Sequence, residues 1–203
     1  LHGTDDLVLL FADTCMEDED LHRFLREAAR NIGVPVTRIA DGRTPWEVFH
    51  DERFLGNARV DPCSKILKRE LLDRWIATNC VPEDTRCYVG ISWDEIHRIE
   101  RLAPRRLPWI YEAPLCSPPY LDKRAQLALL KAAKIAPPRL YAMGFAHNNC
   151  GGFCIKAGKG AFARLLREMP ERYAQHEEKE RELRALLGDV SIMKDGLTMQ
   201  KLR

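Results

Sequence analysis

The sequence predicts an α/β fold, with a parallel sheet flanked by helices and followed by a cysteine-rich loop and a helix. Short apolar runs alternate with longer segments of helical periodicity, which is the pattern of parallel strands joined by crossover helices. These runs are continuously apolar, as expected for strands that are buried on both faces. The composition changes near position 139. We therefore expect an α/β nucleotide-binding domain over 1–138 and a separate cysteine-containing segment over 139–203.

Two strands and three helices are predicted in the first part of the chain. Residues 7–12 are an apolar run too short for a helix, and they form the first predicted strand. An amphipathic helix follows and ends at Gly33. The second strand is predicted over 34–39, a short helix over 46–54 and a longer amphipathic helix over 63–76.

The later part of the chain contains two further predicted strands and two helices. A strand is expected over 86–91 and a shorter one over 109–111, and a helix over 121–134 closes before two prolines. The charged segment 168–187 predicts a helix. Its run of alternating charges is most simply a solvated helix face with ion pairs four residues apart.

Composition excludes several classes of protein. The 203 residues include 32 Lys and Arg against 30 Asp and Glu, a net charge of +2, which argues against a strongly basic nucleic-acid coat and against an acidic tail. No apolar run approaches the ~20 residues of a membrane span, and no export signal opens the sequence. Seven cysteines without such a signal favour a cytoplasmic protein with reduced thiols or a metal site, and no membrane partner.

The strongest local motif is the segment 147–154, His-Asn-Asn-Cys-Gly-Gly-Phe-Cys. Its two cysteines, Cys150 and Cys154, bracket glycines that allow the backbone to curl around one ion. Cys63 stands at a helix N-terminus, where the helix dipole favours a thiolate, and Cys116 lies among prolines. Four thiolates suit a [4Fe–4S] cluster or a structural zinc ion. The alternative is that the cysteines bind nothing and simply shape a tight loop.

The remaining cysteines and the nearby histidine have simpler interpretations. Cys80 and Cys87 are expected to be small hydrophobic residues. Cys15 lies just after a strand end and is either incidental or a reactive thiol. His147 is a candidate ligand or acid/base group, with capping of the loop as its alternative.

The strand ends direct the search for a ligand site, because ligands of parallel α/β sheets bind beyond the carboxyl ends of the strands. Asp13 and Thr14 follow the first strand, and Ser92 follows the third. Simple capping of a strand is the alternative role of Asp13 and Thr14.

Five segments in sequence order resemble the phosphoadenosine phosphosulfate (PAPS) reductase-like family, which belongs to the adenine nucleotide alpha-hydrolase or PP-loop ATP pyrophosphatase superfamily. They span roughly residues 6–155. The segments are Asp13-Thr14 at a strand end, residues 62–68 (Pro-Cys-Ser-Lys-Ile-Leu-Lys), residues 89–95 with Arg98, residues 110–115, and residues 140–145 leading to Cys150 and Cys154.

The resemblance implies a Rossmann-like, adenine nucleotide alpha-hydrolase-like fold. It also implies ATP or another adenylate bound with Mg²⁺, and chemistry at the α-phosphate or in sulfur transfer to a nucleic acid or a small molecule. The implied nucleotide-binding residues are Asp13, Thr14, Lys65, Lys68, Gly90, Ile91, Ser92 and Arg98, and the implied metal ligands are Cys63, Cys116, Cys150 and Cys154. Solvated side chains are the alternative for the three basic residues.

Three features depart from the family pattern. The phosphate loop Ser-Gly-Gly-x-Asp-Ser is absent, so we expect a fragment that lacks its first strand, loop and helix, or a partner chain that supplies them. No cysteine follows Cys154, which argues against reductase chemistry through a C-terminal Glu-Cys-Gly motif. A single Cys63 stands where cluster-bearing relatives have two adjacent cysteines, which makes Cys116 the candidate fourth ligand.

The predicted function follows from these departures. If the phosphate loop is supplied, the protein is an enzyme, either sulfonucleotide reductase-like or an ATP-dependent sulfur transferase. The alternatives are a non-catalytic nucleotide- or metal-binding module and an accessory component of a nucleic-acid modification system.

Overall fold

The computed structural model describes residues 3–203 and divides the chain into two compact units. The first unit comprises the chain up to Leu72 together with Pro137–Arg203, and the second comprises Asp73–Ala136. The second boundary lies next to the predicted change at 138/139. The cysteine-rich segment, however, belongs to the same unit as the first two strands.

The first unit begins with a β–α–β arrangement, which confirms the α/β class. Strand β1 (Leu9–Asp13) pairs in parallel with β2 (Val36–Ala40), and helix α1 (Glu19–Ile32) connects them. Asp18 caps the start of α1 by accepting the backbone N–H of Asp20 at 3.1 Å. Gly33 ends the helix in the left-handed conformation, with φ of 87°, as the sequence predicts.

The second unit holds another parallel pair, β3 (Arg86–Tyr88) and β4 (Ile110–Glu112), with helices α5 (His97–Leu102) and α6 (Lys123–Ala132). The sequence predicts one sheet. In the part of the chain that the structure describes, the four strands instead form two separate two-stranded sheets, one in each unit.

The helix predicted over 63–76 is longer and is interrupted. It starts as α3 (Pro62–Ser64), passes through a π-helical segment (Lys65–Glu70) and continues as α4 (Leu71–Asn79). Such π-helical segments are rare and are frequent at functional sites. This one carries Lys68, which contacts the site described below.

The other helices of the first unit are mostly short. Helix α2 (Pro45–Asp51) starts with a capping box. The C-terminal region contains α7 (Arg139–Ala142), α8 (Lys159–Glu168), α9 (Pro170–Leu187) and α10 (Met199–Leu202). Helix α9 corresponds to the helix predicted over 168–187, whereas α8 has no predicted counterpart. No helix of residues 3–203 is long and apolar enough to cross a membrane.

The core of the first unit joins the cysteine-rich loop to the helices around it. Its largest fully buried side chains include Phe49, Phe153, Phe162 and Tyr173. Phe153, which lies between Cys150 and Cys154, stacks on the His176 ring with centroids 3.9 Å apart. The loop is therefore anchored in the core by its own central aromatic side chain.

Candidate functional site

A cluster of thiols and charged groups lies beyond the carboxyl end of β1. Cys150 donates its backbone N–H to Glu17 Oε2 at 2.8 Å, which joins the cysteine-rich loop to the turn that follows β1. Lys68 reaches the same carboxylate from the π-helical segment. We call Glu17, Lys68, Cys63, Cys150 and Cys154 the thiol site.

Glu17 organises this site. Its side chain is only 2% exposed, and it accepts hydrogen bonds from the Thr14 hydroxyl at 3.0 Å and the Cys150 N–H at 2.8 Å. The Lys68 ammonium donates to it at 3.4 Å. Burial lowers the pKa of Lys68, but the neighbouring Cys150 and Cys154 sulfurs and the charge and hydrogen bond of Glu17 together raise it above its ordinary value. Lys68 is therefore held as a cation beside the thiols.

Cys150 and Cys154 lie close enough for each thiol to shift the pKa of the other. The interaction with the Cys150 thiol is the largest factor that lowers the pKa of Cys154 below its ordinary value, against the opposing effect of burial. The backbone N–H groups of Lys156 and Ala157 and the charge of Lys68 also lower it. Donation to Cys154, together with burial, raises the pKa of Cys150 well above its ordinary value. Cys154 is thus the thiolate of the pair, and Cys150 its protonated donor.

Cys63 is the third thiol of the site. Its position at a helix N-terminus predicts a thiolate, but its surroundings favour the protonated form. Burial raises its pKa to about 11, despite the hydrogen bond from the Ser64 N–H. The negative charge of Cys154 raises it further. Desolvation therefore outweighs the helix dipole, and Cys63 stays protonated at neutral pH.

The loop between the paired cysteines needs its glycines. Cys150, Gly151 and Gly152 have φ angles of 49°, 59° and 89°, all in the left-handed region. A Cβ on Gly151 would lie 1.9 Å from the Arg172 guanidinium, which itself donates to the Met16 carbonyl at 2.8 Å. Arg172 thus packs directly beneath the loop and ties it to the turn after β1.

The four predicted cysteine ligands are divided between the two units. Cys63, Cys150 and Cys154 belong to the first unit, whereas Cys116 belongs to the second, where its thiol donates to the Ile91 carbonyl at 3.4 Å. Within residues 3–203, no group of three or more His, Cys, Asp or Glu side chains is arranged to hold a metal ion. The four-cysteine site, with a cluster or a structural zinc ion, therefore stays a prediction.

The first two predicted nucleotide ligands make internal contacts. Asp13 and Thr14 are 1% and 2% exposed. The Asp13 carboxylate accepts from the Arg38 guanidinium at 2.7 Å and from the Cys15 N–H at 2.8 Å. These are the contacts of the strand-capping alternative. They also make Asp13 the residue that fixes the side chain of Arg38 on β2.

The other predicted nucleotide-binding residues are distributed over both units. Lys65 forms an exposed ion pair with Glu70 at 3.5 Å in the first unit. Gly90, Ile91, Ser92 and Arg98 all lie in the second unit, where Arg98 pairs with Glu95 at 2.7 Å. Lys68 is the one predicted basic residue that the described structure places in the thiol site.

A groove of about 610 Å³ opens between α1 and the β1–β2 pair. Its volume lies in the range of small-molecule sites. Its floor is apolar, and its rim is basic. The floor includes Phe11, Leu25 and Val36, and the rim includes His22, Arg26, Arg30 and Arg38. In the described part of the chain, Arg26 and Arg30 have no ion-pair partner, so their charges are available to an anion.

Sequence reasoning missed Glu17, Arg172 and the groove arginines. Glu17 precedes Asp18, Glu19 and Asp20, so it could not be distinguished from the acids that commonly start a helix. Arg172 stands in a run of alternating charges that was interpreted as a solvated face. Neither position carries a local signal, because each gains its partner from a distant part of the chain.

Comparison with known proteins assigns no family. No family model matches the chain, and no significant match is found among curated proteins or solved structures.

Proposed function

We propose that the protein is a sulfur-transfer enzyme in which Cys154 carries the sulfur and an adenine nucleotide activates the acceptor at the α-phosphate. The observation that carries this proposal is the lowered pKa of Cys154, to which the Cys150 thiol, the backbone N–H groups of Lys156 and Ala157 and the charge of Lys68 all contribute, in a site where Glu17 holds both Lys68 and the Cys150 N–H. Such an environment stabilises a thiolate, and the thiolate is the nucleophilic form of cysteine.

The adenine nucleotide is supported by two features. The five segments between residues 6 and 155 resemble those of adenine nucleotide alpha-hydrolases. The groove beside β1 combines an apolar floor, which suits a flat base, with a basic rim, which suits phosphate. Arg38 belongs to this rim and pairs with Asp13, whose neighbour Thr14 donates to Glu17 of the thiol site.

The first step of the proposed reaction loads Cys154. Its thiolate attacks the terminal sulfur of a persulfide donor, a new sulfur–sulfur bond forms, and the donor leaves as a thiolate. The terminal sulfur on Cys154 then attacks an acceptor carbon that has been activated as an adenylate. A carbon–sulfur bond forms, the bond to the AMP oxygen breaks, and the acceptor is left joined to Cys154 by a disulfide.

Lys68 and Glu17 have positioning roles in this scheme. Lys68 stabilises negative charge on the attacking sulfur, and Glu17 holds both Lys68 and the Cys150 N–H in place. The side chain of Lys68 is 33% exposed, so a substrate from solvent can reach it.

The proposal is tested by loading the protein with an inorganic polysulfide and locating the added sulfur by mass spectrometry after alkylation. We expect one added sulfur on Cys154, none at that position in Cys154→Ser, and normal loading in Cys80→Ser. Cys80 is a matched control because it is half-buried in the second unit. Equal loading of wild type and Cys154→Ser would refute the assignment of Cys154.

The nucleotide is tested separately by incubating the protein with Mg-ATP and analysing the products. Release of AMP and pyrophosphate supports chemistry at the α-phosphate. Release of orthophosphate, or a lack of ATP binding in calorimetry, would refute the part of the proposal in which an adenine nucleotide reacts at its α-phosphate.

A metal-binding module is the second candidate function. It is favoured by the position of Cys63, which lies near enough to Cys154 for the thiolate charge to raise the Cys63 pKa. Elemental analysis of the purified protein tests it. Zinc or iron that is lost in Cys150→Ser would favour this candidate, whereas protein free of both metals would refute it.

A further inference from the structure

We infer that Cys150 and Cys154 act as a dithiol pair, in which Cys150 attacks any disulfide formed on Cys154 and closes an intramolecular disulfide. The inference concerns Cys150, which the proposed loading step does not use as a nucleophile. It also holds for any sulfur compound that reacts with Cys154, so it does not depend on the adenine nucleotide.

The backbone of the loop brings the two sulfurs together. Three residues separate the cysteines, and the Phe153 N–H closes the loop by donating to the Cys150 carbonyl at 3.0 Å. Each thiol also shifts the pKa of the other, so the two side chains lie on the same side of this turn. The closed turn therefore holds the two cysteines as near neighbours, the arrangement from which we expect the disulfide to close.

Contacts from outside the loop hold this arrangement. Glu17 accepts the Cys150 N–H, Arg172 lies beneath Gly151, and Phe153 is fully buried against His176. Because the loop is fixed on three sides, Cys150 stays opposite Cys154 after Cys154 has reacted.

The difference in solvent exposure determines which of the two thiols reacts first. Cys150 is buried, with 9% of its surface exposed, whereas Cys154 is half-buried. A reagent from solvent therefore reaches Cys154 first. Cys150 is shielded from external disulfides but remains adjacent to the sulfur of Cys154, which is the position of a resolving thiol.

The chemistry balances with a small-molecule disulfide as the oxidant. The Cys154 thiolate attacks one sulfur of the disulfide, a mixed disulfide forms, and the first small thiolate leaves. Cys150 then loses its proton to water and attacks the sulfur of Cys154, and the second small thiolate leaves. Two protein thiols are oxidised to one disulfide, and the small disulfide is reduced to two thiols.

The experiment titrates the wild-type protein with glutathione disulfide under anaerobic conditions, traps free thiols by alkylation and maps the products by peptide mass spectrometry. We expect a Cys150–Cys154 disulfide that dithiothreitol reverses. The variant Cys150→Ser should stop at a stable glutathione adduct on Cys154, and the control Cys80→Ser should behave as wild type at both positions.

Two results would overturn the inference. One is a wild-type protein that keeps a glutathione adduct on Cys154 without closing the disulfide. The other is a disulfide that joins Cys154 to Cys63, which would make Cys63 the resolving thiol. The wild-type titration decides both, even if Cys150→Ser does not fold.

Failure of the inference is distinguishable from failure of the proposed function. Polysulfide loading of Cys154 tests the proposed function, and it needs no contribution from Cys150 as a nucleophile. If the protein loads sulfur but never closes the disulfide, only the inference of a dithiol pair is refuted. If the protein closes the disulfide but never accepts sulfur, only the proposed sulfur-transfer function is refuted.

Discussion

The substitution Gly151→Ala should destabilise the first unit strongly, because two unfavourable effects add at this position. Gly151 has φ of 59°, where an L-residue pays about 1–2 kcal/mol. Its new Cβ would lie 1.9 Å from Arg172 Nη2, so the guanidinium has to move. That movement breaks the 2.8 Å hydrogen bond to the Met16 carbonyl, and hydrogen bonds to charged groups contribute about 1.5–3 kcal/mol.

The sum is ~2.5–5 kcal/mol, a large share of the ~5–15 kcal/mol that stabilises an ordinary domain. Urea unfolding followed by circular dichroism measures it. The matched control is Gly160→Ala, because Gly160 lies in α8 and no heavy atom comes within 4 Å of its added Cβ. That control should gain about 0.5–1 kcal/mol from the higher helix propensity of alanine.

The two effects can be separated by a double-mutant cycle. In an Arg172→Ala background the clash is absent, so Gly151→Ala should cost only the conformational ~1–2 kcal/mol. A Gly151→Ala protein that unfolds within ~0.5 kcal/mol of wild type would refute the account of the loop. An equal cost in both backgrounds would show that Arg172 does not support Gly151.

Two further predictions concern helix α9. Burial and the charge of Arg172 lower the pKa of His176 to about 3. Below pH ~6.5 the histidine therefore binds a proton in the unfolded chain but not in the folded chain. The free energy of unfolding should fall by about 1.4 kcal/mol per pH unit as the pH drops from ~6.5 toward 3. Urea unfolding across this pH range should show a smaller fall in the free energy of unfolding for His176→Phe than for wild type. Equal slopes against pH for the two proteins would contradict the burial of a neutral histidine. The Tyr173 hydroxyl donates to the Met199 carbonyl at 2.6 Å, so Tyr173→Phe should lose about 1–2 kcal/mol. Tyr120→Phe, at a position that is 59% exposed, should lose none, and equal unfolding midpoints for the two variants would contradict the role of the buried hydroxyl.

The first elements of the fold were predictable because their signals are local. The apolar run that forms β1 and the glycine that ends α1 each act within a few residues, and both predictions lie within two residues of the observed bounds. Helix α8 was missed because Gly158 and Gly160 at its start resemble a loop. The π-helical segment at Lys65–Glu70 could not be predicted either, since its sequence has ordinary helical periodicity.

The candidate site was predictable only in part. The two cysteines of the loop and Lys68 were identified from the residues or from the resemblance. Glu17 was not, because its partner Cys150 lies 133 positions away in the sequence. Arg172 contacts Met16 from 156 positions away. Periodicity and short motifs report on neighbours in the chain, so they carry no information about contacts of this kind.

The backbone conformation of two cysteines, one in the thiol site and one two residues before Glu17, supports a functional role for the loop. This evidence is separate from the pKa shifts. Cys15 and Cys150 are non-glycine residues with φ of 56° and 49°. Such residues pay about 1–3 kcal/mol and persist where the surroundings impose the conformation. In each case the backbone N–H is turned toward a carboxylate, that of Asp13 for Cys15 and that of Glu17 for Cys150.

Glycine would relieve the strain at Cys150 and could still donate its N–H to Glu17, so the turn alone does not require a side chain there. What a side chain adds is the sulfur that lowers the pKa of Cys154. Glycine at position 150 would keep the turn but would lose this effect. Backbone strain, the Glu17 carboxylate and the difference in exposure all concern the same two cysteines, which is why our proposals assign the reacting thiol to Cys154 and the resolving thiol to Cys150.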